Sequence, residues 1–395
     1  MTNLLTGVFL IRFASKEEYG LYGVAFSMTL LTVGVANALV MTQMTVIAPS
    51  KPDNVRVAYC GSMFLALLAV VGLAALLLLS AIFSFEEHIS PQYTRLAYVF
   101  CLSFPGVVMI EYVRRYLYLT LAPRRVFFVG CLFSTIYLST LILFYFMGTE
   151  HLHLSVLGAN GLIALAVAMF SIAYFARFSL RESGRLVWGS IAESWRQGAW
   201  ALGGVSVTWL QGQAYIYLLA TMQGAAVVAE ANAARLLLAP IGLISTSLGR
   251  VFMPRMAYLR ANGKEKQTIG MAFRVLALLL SCIAVYSLLL YLGSDRIMDF
   301  FSREYESLGW LLLVWSVCVA CEAIRSMPAQ LLQVYRKFRI ITTRNAVTAV
   351  LVVAASAIAA RYGNVRGVIL SMALGELLLA VLLWRGFQHA QIERG

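Results

Sequence analysis

Apolar residues fall in a dozen long runs, roughly 1–11, 19–48, 57–84, 94–118, 126–148, 154–177, 198–222, 226–250, 270–293, 307–333, 345–360 and 367–384, each closed by a short polar turn. A bilayer core about 30 Å thick takes roughly 20 apolar residues per helical span, so the pattern predicts an all-α integral membrane protein with about 12 transmembrane helices. The first run is the exception. About eleven residues before Arg12 rise only about 16 Å, which predicts a half-helix or a recorded start downstream of the true one. The longest connection, about 178–196, reads RESGRLVWGSIAESWR and has the basic, Trp-containing character of an amphipathic interfacial segment. It divides the chain into an N-lobe (1–178, spans 1–6), a cytoplasmic linker (179–196) and a C-lobe (197–395, spans 7–12).

An internal repeat supports two lobes. Laying 108–127 over 319–338 pairs Val108 with Val319, Glu111 with Glu322, Arg114 with Arg325, Leu121 with Leu332, Arg125 with Arg336 and Phe127 with Phe338. Pro49 and Pro254 also end corresponding spans, the second and the eighth. Each half has an even number of spans, so both begin on the same side, and a pseudo-two-fold axis along the membrane normal is expected to relate them.

Composition narrows the function classes. Of 395 residues 61% are hydrophobic and 12% charged, with mean hydropathy +0.80, against about 45–50% and about 25% in a typical soluble domain. A water-soluble enzyme is excluded. The net charge of +13 would suggest nucleic acid in a soluble protein, but in short loops it sets topology, and no nucleic-acid partner is expected. With both termini in the cytoplasm, eighteen Lys and Arg fall in inner loops and seven in outer ones, which hold most of the acids. No removable signal peptide is expected. The six cysteines lie in apolar stretches, including the mid-span Cys318-x-x-Cys321, and read as small hydrophobes. His151 and His153 are two ligands short of a zinc site, and no Walker-type Gly-Lys motif is present. No metal or cofactor is expected.

Ionisable groups inside spans cost about 2.5–3.5 kcal/mol each and are expected to face protein or a wet cavity. Arg114, Arg115, Arg235, Arg250, Arg274, Arg325, Glu111, Glu230, Glu322 and Glu376 are these groups. In the eighth span, AEANAARLLLAPIGLISTSLGRVFMP, a turn of about 100° per residue sets Asn232, Arg235, Ala239, Gly242, Thr246 and Gly249 on one small, polar stripe. Arg235 has no acid at i±3 or i±4. Its guanidinium suits a ligand phosphate, and the alternative is tight helix packing with an acid on another span.

Glu111/Arg114 and Glu322/Arg325 are i,i+3 pairs two to three turns from basic inner turns, and their repetition suggests a structural or gating latch on the inner side. Glu376 has no basic neighbour at i±3 or i±4, which makes it a candidate proton carrier or a carboxyl buried for structural reasons. Glu230 reads as interfacial.

The pattern A-x-R-L-x-x-x-P-x-G, carried by Ala233, Arg235, Leu236, Pro240 and Gly242 and followed by Pro254, resembles the eighth helix of the MOP flippase superfamily. The opening IRFASKEEYGLYGVAFS resembles the first-to-second helix junction of its polysaccharide, Wzx-like branch. The resemblance implies a V-shaped, two-lobed transporter with a central cavity in a bacterial cytoplasmic membrane. Its implied task is to flip an undecaprenyl-diphosphate-linked oligosaccharide from the inner to the outer leaflet by alternating access. It further implies that Arg235 and Arg12 hold the diphosphate, although Arg12 also fits an ordinary interfacial anchor. A polysaccharide polymerase as a further partner and coupling to H+ or Na+ are left open by the sequence. The seventh span departs from the family: where many members carry an acid, this chain reads Gln211-Gly212-Gln213-Ala214-Tyr215. Gln211, Gln213 and Tyr215 suit hydroxyl-rich sugar or helix–helix hydrogen bonds.

Three other functions fit the sequence less well. A MATE-like drug or cation exporter would more naturally carry a central acid. A membrane glycan polymerase or glycosyltransferase needs a long loop bearing acids or metal ligands, and no loop here exceeds about 20 residues. A scaffold without transport leaves Arg235 and Glu376 unexplained. The expectation is a transporter and not an enzyme.

Overall fold

The computed structural model describes residues 2–88, 90–175, 180–294, 296, 308–335 and 337–392. Among the described residues the chain is helical throughout, with no strand. Among the described residues nine helices are long and apolar enough to cross a membrane, or ten if one bent pair is a single span. The other two of the twelve runs are α1 (Thr2–Phe13), short at 12 residues, and the second half of a helix whose first half is polar.

Contacts divide the chain into two compact units, Leu21–Ser206 in one and Asn3–Gly20 with Val207–Gly395 in the other. The first unit holds most of α2 (Lys16–Ala36), which passes through a π turn at Asn37–Met41 into α3 (Thr42–Ile47), then α4 (Asp53–Phe85), α5 (Pro91–Leu119), α6 (Pro123–Met147) and α7 (Leu152–Phe175). Its centre is the crossing of α5 and α7. A Cβ on Gly106 would stand 1.9 Å from the carbonyl oxygen of Gly161, so only glycine lets the two backbones meet.

Helix α8 (Leu180–Met222) runs unbroken for 43 residues, about 65 Å at 1.5 Å per residue. The basic 179–196 segment and the seventh span are therefore continuous from Leu180 onward. A hydrocarbon core of about 30 Å accommodates only half of that length. The polar half is tied down within its own unit: Lys51 Nζ lies 3.3 Å from Glu193 Oε2, and the Ser62 and Ser190 hydroxyls are 2.7 Å apart.

The second unit adds α9 (Ala225–Leu237), α10 (Ala239–Ala261), α11 (Glu265–Leu292), α12 (Leu308–Val334), α13 (Phe338–Arg361) and α14 (Val365–Ile392). Its core includes Leu331, Leu332, Tyr335, Leu379, Leu383 and Phe387 from the ends of α12 and α14, with the Tyr335 and Phe387 rings edge-to-face at 5.1 Å. Helix α1 and the start of α2 lie along α9. Leu236 packs on Gly7, and Lys16 Nζ lies 2.9 Å from Glu230 Oε1. A Cβ on Gly20 would stand 1.8 Å from the Ala225 carbonyl oxygen. Glu230, expected to be interfacial, is thus the anion of an ion pair.

The eighth span is not straight. It bends by 46° between α9 and α10. Pro240 has no N–H and its ring displaces the carbonyl four residues earlier, so the regular ladder cannot continue across it. The Leu238 N–H turns back to Arg235 O at 3.1 Å, the Ile241 N–H goes to Leu238 O at 3.0 Å, and the Leu237 carbonyl accepts instead from the Tyr286 hydroxyl of α11 at 2.9 Å. This corrects the single polar stripe expected over 232–249, which is split between two helical segments with different axes.

Candidate functional site

The 211–215 turn of α8 brings together most of the polar groups singled out in this half of the chain. The first cluster surrounds Arg235, one turn before the bend. Its Nη1 donates to Gly212 O at 3.3 Å and to the Tyr215 hydroxyl at 3.2 Å, and that hydroxyl donates onward to Asn232 Oδ1 at 2.6 Å. The guanidinium carbon lies 5.7 Å from the centre of the Tyr215 ring and 5.3 Å from that of Trp315 on α12. These two rings meet edge-to-face at 5.5 Å. Two quadrupoles and two neutral acceptors hold the cation, and among the described residues no carboxylate pairs with it. Trp315 is 2% exposed, and among the described residues its Nε1–H has no acceptor. The Glu322 charge reaches Arg235 without direct contact; a buried donor without a partner beside a cation whose direct contacts are all neutral is the arrangement an anionic acceptor completes.

The second cluster lies on the same side of α8. Gln211 Nε2 donates to Glu376 Oε1 at 3.2 Å, and the other oxygen of Glu376, on α14, takes a hydrogen bond from Arg325 Nε of α12. Glu322 Oε1 stands farther off, 3.9 Å from Arg325 Nη2. Glu376, without a basic neighbour on its own helix, is therefore not alone, and Arg325 turns away from its i−3 acid toward another span. Trp315, Cys318, Glu322 and Arg325 follow at i, i+3, i+7 and i+10, one face of α12 about 15 Å long, which joins the two clusters.

The corresponding pair in the other unit stays within its helix. Arg114 Nη1 and Glu111 Oε1 are 2.5 Å apart, and the Arg114 guanidinium lies over the Phe133 ring at 5.8 Å. The repeat thus conserves the residue types and not their partners.

The other candidates fall as follows. Gln213 is half-buried, on a different face from Gln211. The side chain of Thr246 lies outside the described residues, as does that of Arg250. Arg12 is exposed on the last turn of α1, its guanidinium 5.6 Å from the Phe13 ring. The register of Gly7 on Leu236 and Lys16 on Glu230 sets Arg12 between those two contacts, at the level of the α9 turn that carries Asn232 and Arg235. Arg274 departs from expectation: it is exposed on α11. Trp315 and Tyr286 were not singled out from the sequence, since each reads as one more aromatic in an apolar span. The heptad step from Trp315 to Glu322 was the available signal for the first.

No family model and no curated protein sequence matches the chain. Solved structures do. The lipid II flippase MurJ in an inward closed conformation has a TM-score of 0.74 at 13% identity, covering 98% of this chain and 85% of its own. An inward-facing multidrug resistance MATE family transporter of the MOP superfamily scores 0.69 at 14% identity, with 98% and 93% covered. A MOP superfamily transporter from Pyrococcus furiosus scores 0.67 at 14% identity, with 98% and 91% covered. At such identities the likeness shows architecture alone: the chain is a multi-pass membrane protein with the fold of the MurJ and MATE transporters of the MOP superfamily.

Proposed function

We propose that the protein flips a polyprenyl-diphosphate-linked oligosaccharide, of the undecaprenyl type, from the inner to the outer leaflet of a bacterial cytoplasmic membrane by alternating access. The reading rests on the Arg235 site. A diphosphate crossing hydrocarbon unaided faces a desolvation cost of order tens of kcal/mol. A fixed guanidinium beside a free indole N–H replaces water around such a group with donors already in place, so little reorganisation is needed when it arrives. Arg12, at the same level of α9, is the second cation in this reading. Gln213, Asn232 and Thr246 are assigned to sugar hydroxyls. Tyr215 and Gln211 hold the two charged clusters in position. Glu111/Arg114 and Glu322/Arg325 act as gating elements, and Glu376 as the coupling carboxylate, where an entering H+ or Na+ must compete with Arg325. A polysaccharide polymerase is the natural acceptor of the flipped product.

The MATE-like alternative, export of an organic cation, draws on the carboxylates Glu322 and Glu376, but Glu376 is already engaged by Arg325 and Gln211. The deciding experiment is a deletion strain scored for inner-leaflet lipid-linked oligosaccharide. Wild type relieves the accumulation, and Arg235→Ala at equal membrane abundance does not. Full complementation by Arg235→Ala removes the diphosphate role, and no accumulation in the deletion strain removes the substrate class.

A further inference from the structure

A second cationic site stands apart from Arg235, in a groove between α10 and α11. A cavity of about 240 Å³ is lined there by Phe252, Arg255, Met271, Arg274, Val275 and Leu278. Both arginines are exposed, and among the described residues neither has a carboxylate partner.

The two side chains converge because of helix direction. Arg255 lies six residues before the end of α10 and Arg274 nine residues after the start of α11, about 9 Å and about 13 Å from the basic 262–264 turn between the helices. Long side chains lean toward the N-terminus of their helix. On α10 this carries Arg255 away from the turn, and on α11 it carries Arg274 toward it. Arg274 Nε indeed reaches back to Gly270 O at 3.3 Å. The deeper arginine rises, the shallower one sinks, and their guanidinium groups face one cavity.

The stripe that carries Arg274 identifies what surrounds the groove. Leu278, Val285 and Leu289 follow at i+4, i+11 and i+15 on the same face of α11 and are 50%, 60% and 63% exposed. Large apolar side chains left open along a membrane-spanning helix form a face toward acyl chains. A guanidinium on that face, with a backbone carbonyl but no carboxylate as its partner among the described residues, needs an anion that itself belongs to the bilayer interface.

We infer that the α10–α11 groove binds the headgroup of an anionic phospholipid from the leaflet on the side of the basic loops. Arg255 and Arg274 hold its phosphate, while Phe252, Met271 and Leu278 pack on the first acyl carbons. The site is independent of the substrate reading, since it shares no residue with the Arg235 cluster.

The test is native mass spectrometry of the full chain in detergent with added dioleoyl phosphatidylglycerol or dioleoyl phosphatidylcholine, without any lipid-linked sugar. Wild type retains phosphatidylglycerol in preference to phosphatidylcholine. Arg255→Gln/Arg274→Gln loses roughly thirty-fold in phosphatidylglycerol affinity, taking each arginine at its usual interfacial worth. The single variants fall between, and Arg274→Lys keeps most of the preference. An unchanged lipid preference in the double variant overturns the proposal, as does retention of phosphatidylglycerol only after a polyprenyl diphosphate is added. Because both residues are exposed, the double variant is expected to elute as a folded monodisperse protein; if it does not, the two single variants carry the same comparison.

Discussion

Glu376 shows how much a single residue's chemistry depends on a neighbour far away in the chain. Its own helix offers no base within a turn, and helical periodicity cannot see across to α12, where Arg325 supplies one. Arg235 could be read from its own span because its lack of a nearby acid is a local fact, and among the described residues no carboxylate forms a direct ion pair with it, although the Glu322 charge on α12 still reaches it. Trp315 could not be read, because an aromatic in an apolar span has no polarity signal until its indole N–H is found buried without an acceptor. The Arg325–Glu376 pair supports a prediction at this scale. Removing Arg325 alone strands a carboxylate whose side chain is only 14% exposed. Arg325→Met is therefore expected to destabilise the unit by about 2–3 kcal/mol, reduced from the fully buried case because both side chains keep some exposure. Arg325→Met/Glu376→Met removes both charges and is expected to recover most of that loss. Thermal unfolding of the single and double variants in one detergent measures the difference. Equal midpoints for the two would mean that the carboxylate does not depend on Arg325.

At the scale of the element, the hydrophobic pattern predicts where helices lie and leaves out how they meet. The twelve runs correspond to helices because span length follows from bilayer thickness, whereas the bend in the eighth span follows from one prolyl ring and from the Tyr286 hydroxyl that takes up the Leu237 carbonyl. That compensation comes from another helix, so the pattern around Pro240 gives no hint of it. The unbroken course of α8 was hidden for a related reason. Its first half is amphipathic and its second half apolar, and a change of solvent along one helix looks, in sequence, like a change of element. Close helix approach gives a clean test of packing. Gly20 and Gly72 both sit inside long helices, but a Cβ at Gly20 would overlap the Ala225 carbonyl oxygen at 1.8 Å, while one at Gly72 meets nothing within 4 Å. Gly20→Ala is expected to push α2 off α9, strain the Lys16–Glu230 pair and cost about 2 kcal/mol, the usual range for overpacking. Gly72→Ala is expected to be neutral or to stabilise by up to about 1 kcal/mol through helix propensity. The same chemical change thus has opposite expected effects, and thermal melts of the two variants decide it; loss of stability in both would mean that helix packing is not what separates them.

At the scale of the whole molecule, hydropathy orders the spans along the chain and says nothing of which helix each one touches. The first helix is the plainest case: it begins the chain, yet Asn3–Gly20 packs in the unit with Val207–Gly395 because small residues at Gly7 and Gly20 let α9 come close. Orientation, by contrast, follows from charge, since moving Lys and Arg across the bilayer is costly and short loops hold them back. With eighteen basic residues in one set of loops and seven in the other, the turn at Asn262 is expected in the cytoplasm and the turn at Tyr362 outside. Both positions suit labelling. Asn262 is exposed, and Tyr362 is 81% exposed at the end of α13. With the six native cysteines changed to alanine, Tyr362→Cys is expected to react with a membrane-impermeant maleimide in intact spheroplasts. Asn262→Cys is expected to react only after permeabilisation. The proposed direction of transport depends on this result, because the basic groove between α10 and α11 and the paired acids at Glu111 and Glu322 are assigned to the cytoplasmic side by the same charge asymmetry. The reverse labelling pattern would turn the molecule over and move both features to the outer leaflet.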